Sequence, residues 1–226
     1  MELEKITDPV RWYDDACGTA LAMQLIGERW SLLIVRELMY GPRRFSELRG
    51  GLPGISANTL TLRLGTLEAA GILGRRMLPS PASVQVYELT PWGYESEPAI
   101  MALGRWAASS PLHDPSLFMS GASLMMSMRT LFVADRAAGM QGRFAVRLGP
   151  DRFVGTLADG RFQVQRGETD DADVSIEAET AWPILCVIYG HEPIERWEAQ
   201  GLTISGDRAL FERFATLFQL PPKIRG

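Results

Sequence analysis

The stretch from Ser56 to Arg76, SANTLTLRLGTLEAAGILGRR, carries side chains suited to reading and holding a DNA duplex. At 100° per residue Leu60, Leu64 and Leu67 fall within about 60° of one another and would face a core. The opposite flank of that helix then holds Asn58, Thr59, Leu62, Gly65 and Thr66. In a major groove an Asn amide can pair with both N6 and N7 of adenine, Thr can meet a base edge or a thymine methyl, and Leu can touch a thymine methyl. Arg63 lies at the border between the faces, where its stem packs and its guanidinium reaches a phosphate. Arg75 and Arg76 follow in a basic strand, placed for phosphates or a minor groove. Together with Ser56, Thr61, Arg43 and Arg44 they make up the expected DNA-contact set. The competing reading of Asn58 is a local one, in which its amide satisfies N–H groups of the first turn.

Charge is distributed in keeping with such a face. The 226-residue chain has a formal net charge of −4. Between Gly27 and Leu78, however, eight arginines stand against four glutamates, a local +4 that leaves −8 for the remainder. A polyanion responds to the potential within a Debye length of about 8 to 10 Å, so a basic patch on an acidic body is chemically meaningful.

The elements that must position this helix can be read from caps and breakers. Before it come two helices, DDACGTALAMQLIGERW and SLLIVRELMYGP, then a short third helix in RRFSELRGGLPG. Ser56 is the expected N-cap of the fourth helix and Gly71 its stop. ILGRRMLPSPASVQVYELT predicts a hairpin with Pro79-Ser80-Pro81 at its tip, and a further helix is expected from about Trp92 to Ala108. This order is that of a winged helix-turn-helix. SSPLHDPS reads as a linker, after which a methionine-rich segment, SLFMSGASLMMSMRTLF, precedes four alternating strands, with Asp159-Gly160 as a hairpin turn. A helix around TAWPILCVIYG, the segment PIERWEAQG, a short strand LTISGD and a last helix RALFERFATLF complete an α+β second half. Two domains are expected, 1–110 and 115–226.

The rest of the composition excludes other classes. A hydrophobic fraction of 46% with 22% charged residues is that of a soluble globular protein, and no apolar run approaches the ~18 residues of a membrane span. The opening MELEKITDPVRW lacks the basic and apolar regions of a secretory signal, which predicts a cytoplasmic location. Cys17 and Cys186 form no metal-ligand spacing, so neither metal nor cofactor is expected. His113 and His191 lie in linker-like sequence, and no nucleophile elbow, Walker loop, dinucleotide fingerprint or H-E-x-x-H is present, so no enzyme is predicted.

The residues CGTALAMQLIGERW, GPRRFSEL, LPGIS, TL…RL…LE with its following glycine, and VYELTPWG resemble the HxlR-type winged-helix transcriptional regulators, relatives of the MarR group, over about residues 13–108. The resemblance implies a homodimer, built largely by the first and last helices of the domain, on a pseudo-palindromic double-stranded operator with one recognition helix per half-site. It departs at Gly65, where the family often has a basic residue, and in SVQVY, which lacks the family's usual Arg and Glu in the second wing strand. Some HxlR-type regulators sense oxidants or electrophiles through the cysteine that Cys17 matches. Asp14 and Asp15 beside it are expected to raise its thiol pKa.

The second half, through the DG..QV..G….ADV.I meander and the late G.L.I.GD before a helix, resembles the sterol-carrier-protein-like fold, over about 115–220. That resemblance implies a curved sheet and covering helices around an apolar tunnel. Met119, Met125, Met126 and Met128 would give an adaptable lining and Trp182 and Trp197 flat contact area. Met125, Met128, Trp182 and Trp197 are thus the expected pocket residues for a hydrophobic effector. Two alternatives stand beside the effector-modulated regulator: redox sensing through Cys17, and a lipid-binding carrier without DNA.

Overall fold

The computed structural model describes residues 13–79 and 83–224. The opening dodecapeptide and most of the predicted wing tip, Ser80 and Pro81 included, lie outside them. The first half opens with α1 (Gly18–Ile26) and α2 (Ser31–Leu38), followed by α3 (Phe45–Gly51) and α4 (Ala57–Ala69). Leu60, Leu64 and Leu67 of α4 are buried, as their spacing predicts, and Ser56 Oγ accepts the Thr59 N–H at 3.1 Å to cap the helix. Gly71, at φ +73°, ends it in the left-handed region that favours glycine. Strands β1 (Leu73–Met77) and β2 (Gln85–Leu89) pair antiparallel, Leu73 opposite Leu89, and Arg43 bridges to Tyr87 on the far side of β2.

The single helix expected from Trp92 to Ala108 is two, α5 (Pro91–Tyr94) and α6 (Glu97–Ala108). Thr90 Oγ1 caps α5 by accepting the Gly93 N–H at 3.0 Å, and Ser96 Oγ donates to the Gly93 carbonyl at 2.7 Å. Pro98 has no N–H to continue the ladder, so the helix restarts there, with proline in its first turn. Gly93 is required by proximity: a Cβ there would stand 2.1 Å from the Ile72 carbonyl oxygen.

In the second half β3 (Gly142–Leu148), β4 (Asp151–Ala158), β5 (Arg161–Arg166), β6 (Val174–Ala178) and β7 (Thr203–Gly206) form one sheet in the order β5-β4-β3-β6-β7. Only the β3–β6 pair is parallel. Asp159 and Gly160 both take positive φ at the β4–β5 turn, the backbone that Asp-Gly favours. Helices α8 (Trp182–Ile188), α9 (Ile194–Glu198) and α10 (Arg208–Ala215) complete it. Phe144 stacks on Phe214 at 3.9 Å, and Phe162 and Phe218 pack edge-on around Phe214.

Between the halves runs α7 (Gly121–Leu131), the core of the methionine-rich segment. Eight of its eleven residues are buried, so this helix is covered nearly all round rather than along one stripe. It packs against α2 and α6 on one side and β5 on the other, which is why the buried core runs continuously through both halves. No helix among the described residues is long and apolar enough to cross a membrane.

Candidate nucleic-acid interface

The flank of α4 opposite its three core leucines is open. Ser56, Asn58, Thr61, Gly65 and Thr66 are exposed, Leu62 is 61% exposed, and Thr59 and Arg63 are half-buried. Two of the hydroxyls are engaged locally: Thr59 Oγ1 lies 2.8 Å from Ser56 Oγ, and Thr66 Oγ1 donates to the Leu62 carbonyl at 3.0 Å. Because Ser56 supplies the cap, the Asn58 amide is not spent on the first-turn N–H groups. Asn58, Thr61 and Leu62 therefore present a donor, an acceptor and a methyl surface outward on one helix, the combination a major groove can read.

Gly65 lies at the centre of this flank, and a Cβ there would meet nothing within 4 Å. Gly65→Ala is therefore expected to raise stability by about 0.5–1 kcal/mol through helix propensity alone, measured as an increased urea midpoint at unchanged slope.

The arginines behave differently from the sequence expectation. Arg63 reaches Glu28, Nη2 to Oε2 at 2.6 Å, which ties α4 to the turn before α2. Arg75 chelates Glu68 and holds that carboxyl below the usual range, while Arg76 binds Glu88 at 2.5 Å. Arg63, Arg75 and Arg76 would thus have to exchange a carboxylate for a phosphate on binding. Arg43 departs furthest. It is 7% exposed, turned away from solvent, and its guanidinium ion-pairs with Asp151 of β4. A buried cation already paired is not available to a phosphate, so Arg43 joins the two halves instead of contacting DNA.

Arg44 and Arg49, at the two ends of α3, are exposed and ion-pair with no carboxylate among the described residues. Arg44 belongs to the expected contact set; Arg49 does not, and its only signal in the sequence is its share of the local charge. Neither has a carboxylate partner among the described residues to give up on meeting an anion. Arg44→Ala and Arg49→Ala are each expected to reduce the slope of log binding constant against log salt by about 0.9, weakening all sequences alike, as measured by fluorescence anisotropy between about 50 and 200 mM salt.

At the edge of this half, Cys17 is exposed and immediately precedes α1. The thiol is held below its ordinary value of 9.0 by the Thr19 N–H and hydroxyl and the Ala20 N–H. This corrects the expectation from Asp14 and Asp15: Asp15 Oδ1 is occupied with the Cys17 N–H at 2.8 Å, and the first-turn donors govern the sulfur. Cys186 is buried, and burial pushes its thiol up.

The expected pocket residues fall into two pairs with different surroundings. Met125 and Met128 are fully buried core. Trp182 and Trp197 form an edge-on pair at 6.4 Å. None of the four lines the apolar cavity between the halves, which takes Met119 and Met126.

The exposed helix, its hairpin and its supporting helices make up a winged helix-turn-helix. The family model described as HxlR-like helix-turn-helix matches residues 25–113. An HTH-type transcriptional regulator of Synechocystis sp. is 38% identical over 96 residues, 42% of this chain and 71% of that protein. The HTH-type transcriptional regulator YodB of Bacillus subtilis is 37% identical over 86 residues, 38% of this chain and 77% of that protein. The chain belongs to the HxlR family of helix-turn-helix transcriptional regulators. Among solved structures, the redox regulator HypR in its oxidised form matches with 31% identity over 43% of this chain and 99% of its own, at a TM-score of 0.40. The reduced form of YodB matches with 33% identity over 44% of this chain and all of its own, also at 0.40.

Proposed function

We propose that the chain is a homodimeric, sequence-specific DNA-binding regulator of a pseudo-palindromic operator. In this reading residues 1–110 bind DNA and dimerise, and residues 115–226 form a sterol-carrier-protein-like unit through which a hydrophobic small molecule modulates binding. The observation that carries the DNA-binding part is the open flank of α4, where Asn58, Thr61 and Leu62 are exposed and the Asn58 amide is free of a capping role. Dimerisation is supported by apolar surface on α1 and α6: α1 has no buried residue, Leu21 is exposed, and Trp106 of α6 is 76% exposed. The test is selection of bound genomic fragments by the full chain, followed by gel shift and sedimentation on the enriched site. A two-fold site bound by a dimer is expected; monomeric binding without sequence preference would remove the reading.

A second reading, thiol redox sensing, is favoured by the exposure and lowered pKa of Cys17. Since the thiolate is the reactive form, Cys17 is expected to react with iodoacetamide well before Cys186, with a rate that rises through a midpoint below pH 9.0. Thr19→Val removes one hydroxyl donor and should move that midpoint up. Diamide-triggered release of the operator that persists in Cys17→Ser would discard the redox reading.

A further inference from the structure

A cavity of about 380 Å³ lies in the joint between the two halves. Leu33 of α2, Leu103 of α6 and Met126 of α7 line it, together with Leu220 of the C-terminal stretch. That stretch is strapped in place: Lys223 Nζ donates to the carbonyls of Ala108, Ser110 and His113 at 2.9–3.2 Å, at the end of α6. The volume is at the lower end of the range that encloses small organic ligands.

The lining specifies the chemistry of an occupant. Its one formally charged side chain is Arg36, which Glu37 Oε1 already holds at 2.8 Å. The His113 ring stands 3.3 Å from the Lys223 ammonium; burial and that charge lower its pKa from the ordinary histidine value and so favour the neutral ring. A charged ligand would lose its hydration without gaining a free counter-ion. Among the polar side chains of the lining, the hydroxyls of Ser127 and Tyr189 lie 2.8 Å apart, and whichever donates, the other keeps a proton for an incoming oxygen.

We propose that this interdomain cavity is the effector site, and that it takes an uncharged, mainly apolar small molecule bearing one hydroxyl or carbonyl oxygen. The proposal rests on the effector reading above and moves the site from the interior of the second half, where Phe144, Phe162, Phe214 and Phe218 pack together, to its joint with the DNA-binding half. The position supplies the coupling. Helix α2, which lines the cavity, packs on both α4 and α7, and Glu37 of α2 accepts the Ser120 hydroxyl that caps α7, at 2.6 Å. A ligand between α2, α6 and α7 favours whichever spacing it fits, and operator affinity shifts by that differential affinity.

The test uses the full chain with its methionine methyl groups labelled with carbon-13, titrated with 2-naphthol, biphenyl-4-ol and decan-1-ol. The Met119 and Met126 methyl signals are expected to shift first, with Met125 and Met128 responding weakly. Naphthalene-2-sulfonate and decanoate should bind more weakly than the matching alcohols. Ser123→Phe from α7 and Gly104→Phe from α6, where a Cβ meets nothing within 4 Å, fill the cavity from two different helices and should each weaken binding at least about tenfold. If one variant does not melt cooperatively, the other and the methyl map decide. No methyl shift with any of the three probes, or shifts centred on Met125 and Met128, would overturn the site. Binding in the cavity that leaves operator affinity unchanged at saturation would overturn the effector role, and loss of operator binding by the unliganded wild type would instead strike the DNA-binding reading.

Discussion

Asp151→Ala is expected to destabilise the chain by about 3–5 kcal/mol, the cost of breaking a buried ion cluster at its centre. Asp151 Oδ1 accepts from both Arg43 and Arg166, the latter at 2.6 Å, and Arg43 and Asp151 are both buried. Removing the carboxylate leaves two guanidinium groups facing each other with only the looser Glu47 contact of Arg43, at 3.8 Å, and the Glu37 charge to offset them. Burial and the neighbouring Arg43 charge already pull Arg166 below the usual arginine range, so the cluster depends on Asp151 for its balance. The Arg166 guanidinium lies 4.6 Å over the Phe153 ring, which limits its escape to solvent. The effect should appear as a lowered urea midpoint. Replacing Arg43 and Arg166 by Met together with Asp151→Leu should recover most of the loss, since a buried ion cluster exchanged for packed apolar groups costs little. A fall of under about 1 kcal/mol for Asp151→Ala would mean that the joint opens to water.

This cluster also marks the boundary of what could be read from the chain. Features encoded within a few residues were legible: the Ser56 cap, the 3.6-residue spacing of Leu60, Leu64 and Leu67, the alternating strands, and the Asp159-Gly160 turn. The break between α5 and α6 was also encoded locally, in Pro98, although one helix was expected across Trp92–Ala108. Features set by distant partners were not legible. Arg63 meets Glu28 from 35 residues away and Arg43 meets Asp151 from 108, so a count of arginines overstated the cations free to meet phosphate. The methionines divide in a way that spacing does not show: Met119 and Met126 line the cavity between the halves, whereas Met125 and Met128 are buried core. Helical spacing alone cannot tell which side of a helix packed on several sides lines a cavity, and α7 is such a helix.

Asn58→Ala is expected to weaken binding to the preferred operator by about 1–3 kcal/mol, roughly 5- to 150-fold per half-site, while leaving binding to random duplex unchanged. The argument depends on Asn58 having no structural duty. Ser56 Oγ holds the Thr59 N–H, the core leucines lie on the opposite side of α4, and Asn58 is exposed, so truncation should leave the melting transition in place. A base contact and a phosphate contact then separate cleanly. Asn58→Ala should relax preference at one base position in each half-site and keep the salt slope, whereas Arg49→Ala should lower the slope and keep the preference. Both can be measured on one set of duplexes by anisotropy, with each base of the half-site varied in turn. Equal losses on operator and random DNA for Asn58→Ala would assign this residue to the backbone and leave Thr61 and Leu62 as the readers of sequence on α4. No loss on either would place the open flank of the helix away from the duplex.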